Sequence, residues 1–435
     1  MASEWRSVRL GELGEVNRGR SRHRPRNAPH LYGGPYPFIQ TGDIKAANGL
    51  IASHSQTYSE AGLAQSRLWP AGTMVITIAA NIAETAILSY PACFPDSVVG
   101  FIADQNKADV RFIEFLFRFL RRQIQHENVG TGSVQDNINL QTLDRLELKL
   151  PELKGQRAIA HILGTLDDKI ELNRRMNETL ESMARALFKA WFVDFEPVRA
   201  KLEGRWRRGQ SLPGLPAHLY DLFPDRLVDS KLGEIPEGWK IGLLGNVSEH
   251  PRRSKQPAQI TPETPYIALE HMPKRSIALS QWSVANKLES NKYEFKYGEI
   301  LFGKLRPYFH KVGIAPVDGV CSTDIVVLTP KSPAWYGFVL AHVASDAFVE
   351  YANAGSTGTK MPRTNWSEMS RYIVALPTEK VAAAFNRYIQ PASEEIVVKI
   401  HESRTLTNFR DALLPKLISG EFRITEVDKY LKGRF

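Results

Sequence analysis

Five arginines, Arg18, Arg20, Arg22, Arg24 and Arg26, stand at alternate positions, and a second basic run, Arg252, Arg253 and Lys255, stands far along the chain. Cationic groups in such a run neutralise phosphates and fix a protein's register on a polyanion without reading its sequence. A solvated charge run is the plainer reading of the same residues. Reading bases takes Arg or Lys for guanine and Asn or Gln for adenine, on an element that reaches a groove. Gln40, Thr41 and Asp43, with Thr131, Ser133, Gln135 and Asn137, offer such groups in the first part of the chain. Glu270, Lys304, Arg306, Thr357, Thr359, Lys360 and Arg363 offer them in the second. Several sit in Gly-rich turns, where polar side chains also serve the turn itself.

Patterns that carry catalysis are missing. There is no Asn-Pro-Pro-aromatic box for adenine methylation, no GxGxxG and no GxxxxGK[ST] phosphate loop. Pro224-Asp225 with Asp229-Ser230-Lys231 superficially resembles a metal-dependent nuclease signature. Its carboxylates are too close together, however, and are read here as part of a Pro-bearing linker and not of a strand. The eleven histidines include no HxH or HExxH grouping, so no metal site is expected. Cys93 and Cys321 form no CxxC pair or disulfide framework, which suits core positions in a reducing cytoplasm. No apolar run is long enough to span a bilayer, and MASEWRSVRL lacks the apolar core of a signal peptide. The balance of 56 basic against 47 acidic residues, a formal +9, suits a polyanionic partner but does not single one out.

A duplication supplies the elements that would position these residues. Gly72 and Gly298 are 226 apart, as are Ser97 and Thr323, Gly132 and Gly358, Pro151 and Pro377, and Leu187 and Leu413. Further toward the N-terminus the offset drifts, with Pro37-Phe38-Ile39 answering Pro265-Tyr266-Ile267 and Trp5 answering Trp239. A period this long is a repeated domain-plus-helix unit, since solenoid repeats are far shorter. Within each copy, short β-branched or aromatic segments (36–40, 73–79, 98–103, 299–302 and 324–328) read as strands. Arg111–Asn128 and Tyr336–Tyr351 read as equivalent helices, the first with a core stripe of Phe112, Phe115, Leu116, Phe119 and Ile124.

Each copy then changes character. Ile159, Leu166, Leu180 and Leu187 form one heptad row, and Leu163, Ile170, Ala184 and Trp191 form the other. Asn173 and Asn177 interrupt the rows, and a polar residue in such a seam tends to fix register. Phe385, Ile389, Ala392, Ile396, Leu406, Leu413 and Leu417 repeat the pattern more weakly, so each helix is the natural partner of the other. Their relative direction depends on the connection, a Pro-rich stretch from Phe195 to Gly238 read as a linker ordered by its contacts.

The stretch LGTLDDKIELNRRMNETLESMARALFKAWFVDFEPVRAKLEGR, followed by LPAHLYDLFPDRLVDSKLGEIPEGW, closely resembles the central region of Type I restriction-modification specificity subunits. The duplicated layout extends that resemblance to the whole chain. It implies an α/β (α+β) protein with an internal pseudo-two-fold repeat: two mixed α/β target-recognition domains separated by two long helices that pair as an antiparallel coiled coil. The corresponding segments are 1–151 and 236–377 for the domains, 152–195 and 378–423 for the helices, 196–235 for the linker and 424–435 for a tail. The resemblance further implies a non-catalytic cytoplasmic subunit that reads double-stranded DNA, each domain taking half of a bipartite asymmetric site. Its partners would be two modification subunits, which methylate adenine, and restriction subunits. No cofactor is expected in this chain, S-adenosylmethionine, ATP and Mg belonging to the partner subunits. A fused restriction-methylation enzyme is opposed by the missing methylation box, and a scaffold that reads no sequence would leave the duplicated basic loops without a purpose.

Overall fold

The computed structural model describes residues 5–79, 81–127, 138, 140–358 and 360–422. The chain divides into two compact units, the first made of residues 1–168 and 407–435 and the second of residues 169–406. Among the described residues no helix is long and apolar enough to cross a membrane.

The first unit is built on a five-stranded sheet in the order Gly14–Arg18, Val98–Ala103, Met74–Thr77, Thr85–Leu88 and Leu50–Ile51. Only the last pairing is parallel. Met74–Thr77 and Thr85–Leu88 are buried throughout, as expected of short apolar strands covered on both faces. The helix Val110–Glu127 buries Phe112, Phe115, Leu116 and Ile124 in the core, but Phe119 faces solvent. A two-stranded ladder pairs Arg6–Arg9 with Glu147–Leu150.

The second unit repeats this frame with a four-stranded and a five-stranded sheet. Lys240–Leu243 pairs antiparallel with Ile373–Leu376, which is the first unit's ladder displaced by 226 in its second strand. Backbone bonds recur at the same offset: Ile138 N–H to Ile78 O at 3.0 Å answers Thr364 N–H to Lys304 O at 3.1 Å. Gly72 and Gly298 both take left-handed backbone, with φ of 82° and 78°, which explains glycine at each position. Cys93 and Cys321 are fully buried, each in a parallel pairing, Phe38 with Cys93 and Ile267 with Cys321. Burial pushes both thiols up, Cys321 to about 12.

One sequence expectation fails here. Tyr336–Tyr351 is two helices, Tyr336–Val343 and Asp346–Ala354. Ser345 caps the second by accepting from Phe348 N–H at 3.2 Å, and His310 Nε2 donates to the freed carbonyl of Ala344 at 2.9 Å.

The long helices are Leu153–Phe188 and Glu379–Ile418. The second runs on through Pro391 and Pro415, each of which removes one intrahelical hydrogen bond. In the second unit Asn173 Nδ2 donates to Ser403 Oγ at 3.2 Å, and the Trp191 and Phe385 rings lie 5.7 Å apart. Residue numbers rise along one helix as they fall along the other, so the pair is antiparallel. Asn173 is fully buried in that seam. After Phe188 a π-helical turn, Lys189–Val193, places Trp191 and Phe192 together in the core. Phe195, left-handed at φ 51° with its ring edge-on to Trp239, stops the helix.

The stretch that follows is ordered. Val198, Trp206, Leu219 and Phe223 are buried in one cluster with Phe188 and Trp191. Leu227–Ser230 does form a strand, paired with Gly233–Pro236, so Asp229 lies on a strand contrary to the sequence reading. Asp225 is held by Lys201 at 2.9 Å.

Charge ties the first unit's ends of the long helices to its domain. Arg118 reaches Glu114 at 2.6 Å and Asp167 at 2.9 Å, and Asp167 reaches Arg410 at 2.6 Å. Thr85 Oγ1 donates to Glu114 at 3.0 Å. Burial raises the Glu114 carboxyl above the usual carboxylate range. In the second unit the carboxylate of Glu181, buried and likewise raised, accepts from Ser276 Oγ at 2.6 Å and Ala278 N–H at 3.2 Å.

Candidate nucleic-acid interface

In the first unit the arginine loop is anchored by its backbone to the segment 93–98. Gly19 N–H donates to Val98 O at 2.8 Å and Arg20 N–H to Phe94 O at 3.2 Å. Ile39 N–H donates to Cys93 O at 2.8 Å, so Gln40 and the turn after it hang from the same segment. The five arginines are not equivalent. Arg26 pairs with Asp96 at 2.7 Å, Arg24 stands 4.0 Å from the same carboxylate, and Arg18 Nε donates to the Asp96 carbonyl at 3.1 Å. Arg20 and Arg22 are exposed with no ion pair among the described residues.

Gln40 and Asp43 do local work. Asp43 accepts from Gln40 N–H at 2.8 Å and from Ser55 Oγ at 3.2 Å, starting the helix Thr41–Ala46. Gln40 Nε2 donates to Gln56 Oε1 at 2.6 Å, whereas Thr41 has no side-chain partner among the described residues. Lys45, which sequence reasoning passed over, reaches Asn81 at 3.4 Å. Thr131, Ser133, Gln135 and Asn137 lie outside the described residues, as does Thr359 in the second unit.

The second unit gathers most of its candidates into one surface. Two loops are zipped together: Arg306 N–H donates to Pro362 O at 2.7 Å, and Thr357 and Arg363 exchange backbone bonds at 2.9 Å. That brings Lys304, Arg306, Thr357, Lys360 and Arg363 side by side. Arg363 is neutralised by Asp324 at 3.1 Å, while Lys304, Arg306 and Lys360 have no carboxylate partner among the described residues. Glu270 is exposed on a neighbouring turn whose Leu269 carbonyl accepts from Lys311.

The basic run preceding this surface splits. Arg253 is drawn to Glu299, and Lys255 stands 3.9 Å from Glu294, so neither presents a free charge. Arg252 is exposed and unpaired among the described residues. His250 connects it with Lys304. Burial lowers the His250 pKa, and the nearby Arg252, Lys304 and Arg253 charges lower it further. Its Nδ1–H donates to the Val327 carbonyl at 2.8 Å, fixing a neutral tautomer. Tyr308 and Met361, about half exposed, stand on the two zipped loops. Sequence reasoning missed both, although Leu305-Arg306-Pro307-Tyr308 already sets a ring two residues from a cation.

Chemically, each unit presents unpaired cations beside polar side chains on loops anchored to a sheet. Such an arrangement has the chemistry to bind phosphate and to offer donors and acceptors to base edges. Among the described residues, no group of three or more His, Cys, Asp or Glu side chains is placed to hold a metal ion.

Residues 2–182 match the family described as the Type I restriction modification DNA specificity domain. The Type I restriction enzyme MjaIX specificity subunit of Methanocaldococcus jannaschii is 24% identical, covering 98% of this chain and 95% of the relative. Along nearly its whole length the chain is therefore similar to Type I specificity subunits. The Type I restriction enzyme HindI specificity subunit of Haemophilus influenzae is also 24% identical, covering 96% of this chain and 100% of its own length. The likeness to the family thus extends through both copies of the repeat. The crystal structure of a Type I restriction-modification system S subunit from M. genitalium has the same fold, with a TM-score of 0.57 at 14% identity over 95% of this chain and 96% of that one.

Proposed function

We propose that this chain is the DNA-reading, non-catalytic subunit of a Type I restriction-modification complex. Each domain takes one half of a bipartite, asymmetric site in double-stranded DNA. Two modification subunits carry S-adenosylmethionine and methylate an adenine in each half, and restriction subunits supply ATP- and Mg-dependent cleavage. The long helices join the two readers and offer the modification subunits a place to dock. Reading takes place in the cytoplasm, where the chromosome and invading DNA are met.

One observation carries this reading: the same backbone frame, repeated along the chain, presents unpaired cations from each copy. A duplicated reader whose two loop sets differ in sequence suits a site with two unlike halves. Arg20, Arg22, Arg252 and Lys360 would hold phosphates, while Gln40, Lys304 and Arg306 would meet base edges.

The test is methylome sequencing of cells that express the chain with its modification partner. The expected result is one motif with two defined halves, a fixed unspecified spacer and methyladenine in each half. A single continuous motif, or methylation by the purified chain alone, would overturn the reading.

A further inference from the structure

Tyr308 stands out among the exposed side chains of the second unit. It sits on the single 3-10 turn Pro307–Phe309, flanked by Arg306 and His310, both held left-handed at φ 51°. Side chains with a Cβ disfavour that conformation, and two such residues around one turn persist only where the surroundings fix them. Here they do. Pro307 is buried, His310 is 7% exposed and bonded to the Ala344 carbonyl, and Arg306 N–H is bonded to Pro362 O. Phe309 braces the tyrosine ring edge-on at 4.8 Å, and Lys274 covers Phe309 at 4.6 Å. The Tyr308 side chain nonetheless remains half exposed, two residues from Arg306, whose Nη2 reaches the Lys360 carbonyl of the zipped loop at 3.5 Å. A rigid turn thus presents a half-exposed aromatic ring on a loop that also carries Lys304 and Arg306 and is zipped to the loop of Lys360. In the first unit the 226 offset places buried Ile82 at the equivalent position.

We propose that Tyr308 is a stacking wedge: its ring enters one base step of the half-site held by the second domain and stacks on a base that loses its neighbour there. This rests on the function proposed above. Cations on this loop and on the one zipped to it hold the backbone beside the step while it opens, and chemistry on an adenine requires that base to leave the helix stack. The first domain has no exposed ring at the matching position, so the opening of its half-site is left to the modification subunit alone.

The experiment uses the full chain with its modification partner and duplexes carrying the methylated motif, with 2-aminopurine placed in turn at each position of both half-sites. Apart from the target adenine of each half-site, where flipping itself raises fluorescence, wild type is expected to raise it at one further step, in the second half-site only. Tyr308→Ala is expected to abolish that rise and weaken specific binding roughly 5- to 150-fold, the range for losing one base–aromatic stack, with the salt dependence unchanged. Tyr308→Phe keeps both signals. Because the ring packs little of the core, Tyr308→Ala should melt at the wild-type temperature. Normal specific binding by wild type with no rise outside the target adenines overturns the wedge alone, as does such a rise that survives Tyr308→Ala. Absence of specific binding by wild type overturns the wedge together with the function it rests on.

Discussion

If the arginine loop holds phosphates, the contribution of each arginine is set by whether a carboxylate already occupies it. Arg20 and Arg22 are unpaired, whereas Arg26 lies 2.7 Å from Asp96. Each phosphate contact contributes a slope of about 0.9 to the dependence of log affinity on log salt. Arg20→Gln with Arg22→Gln should therefore flatten the slope by about 1.8. Between 50 and 200 mM salt that is roughly a 12-fold difference in how far affinity falls. Arg26→Gln should leave the slope nearly unchanged, because the cation it removes is already neutralised. Both side chains of that pair are substantially exposed, so losing it should cost at most about 1 kcal/mol of stability. The assay is fluorescence anisotropy on one specific and one unrelated duplex across a salt series. The double variant should weaken both complexes in proportion. Equal flattening by Arg26→Gln would show that the Asp96 pair opens on binding and would refute the reasoning. A changed methylated motif with an unchanged slope would make these arginines base readers.

Other consequences follow from buried charge and from the helix pair. His342 is buried against Phe188 and Phe338, with its pKa lowered to about 3 by desolvation. The unfolded chain takes up this proton below about pH 6.5 and the folded one does not, so stability falls as pH drops through that window. From pH 7 to 5 the loss is about 2 kcal/mol, which His342→Leu should remove; a wild-type-minus-variant difference in urea unfolding that is the same at both pH values would sink this account. Arg118→Leu strands the Glu114 carboxylate and should cost about 3–5 kcal/mol, while adding Glu114→Leu should recover most of it, because Asp167 keeps Arg410; urea unfolding of the single and double variants checks both. Adding seven residues after Asn173 and seven after Ser403, which meet across the helix pair, lengthens each helix by about 10 Å and keeps the apolar rows in register. Methylome sequencing should then show both half-sites retained and a spacer roughly three base pairs longer, and an active protein with its spacer unchanged would count against the helices setting that length.

The repeat could be read because it rests on residues with strict local demands. Gly72 and Gly298 are needed for the same left-handed turn, and the heptad rows need apolar side chains wherever the helices meet. Ion pairing could not be read. Arg26 and Arg253 find their carboxylates 70 and 46 residues away, so a basic run in sequence gives no sign of which cations are already neutralised. The break at Ser345 was hidden because Tyr336–Tyr351 keeps helical periodicity, and only the cap and His310 mark it. Asp43 shows the reverse confusion: a carboxylate beside a Gly-rich turn suits base reading and helix capping alike, and its bond to Gln40 N–H establishes the capping role.

Cys93 and Cys321 have a practical consequence. Alkylation and maleimide coupling go through the thiolate at a solvent-accessible sulfur, and both native thiols are fully buried with burial opposing ionisation. Folded protein should therefore be silent toward thiol reagents. A cysteine introduced at exposed Asn27 in one domain and another at exposed Glu289 in the other would take up label on the wild-type background. Each domain could then carry its own dye, and DNA-dependent changes in the distance between the dyes could be followed without first removing a native residue from either core.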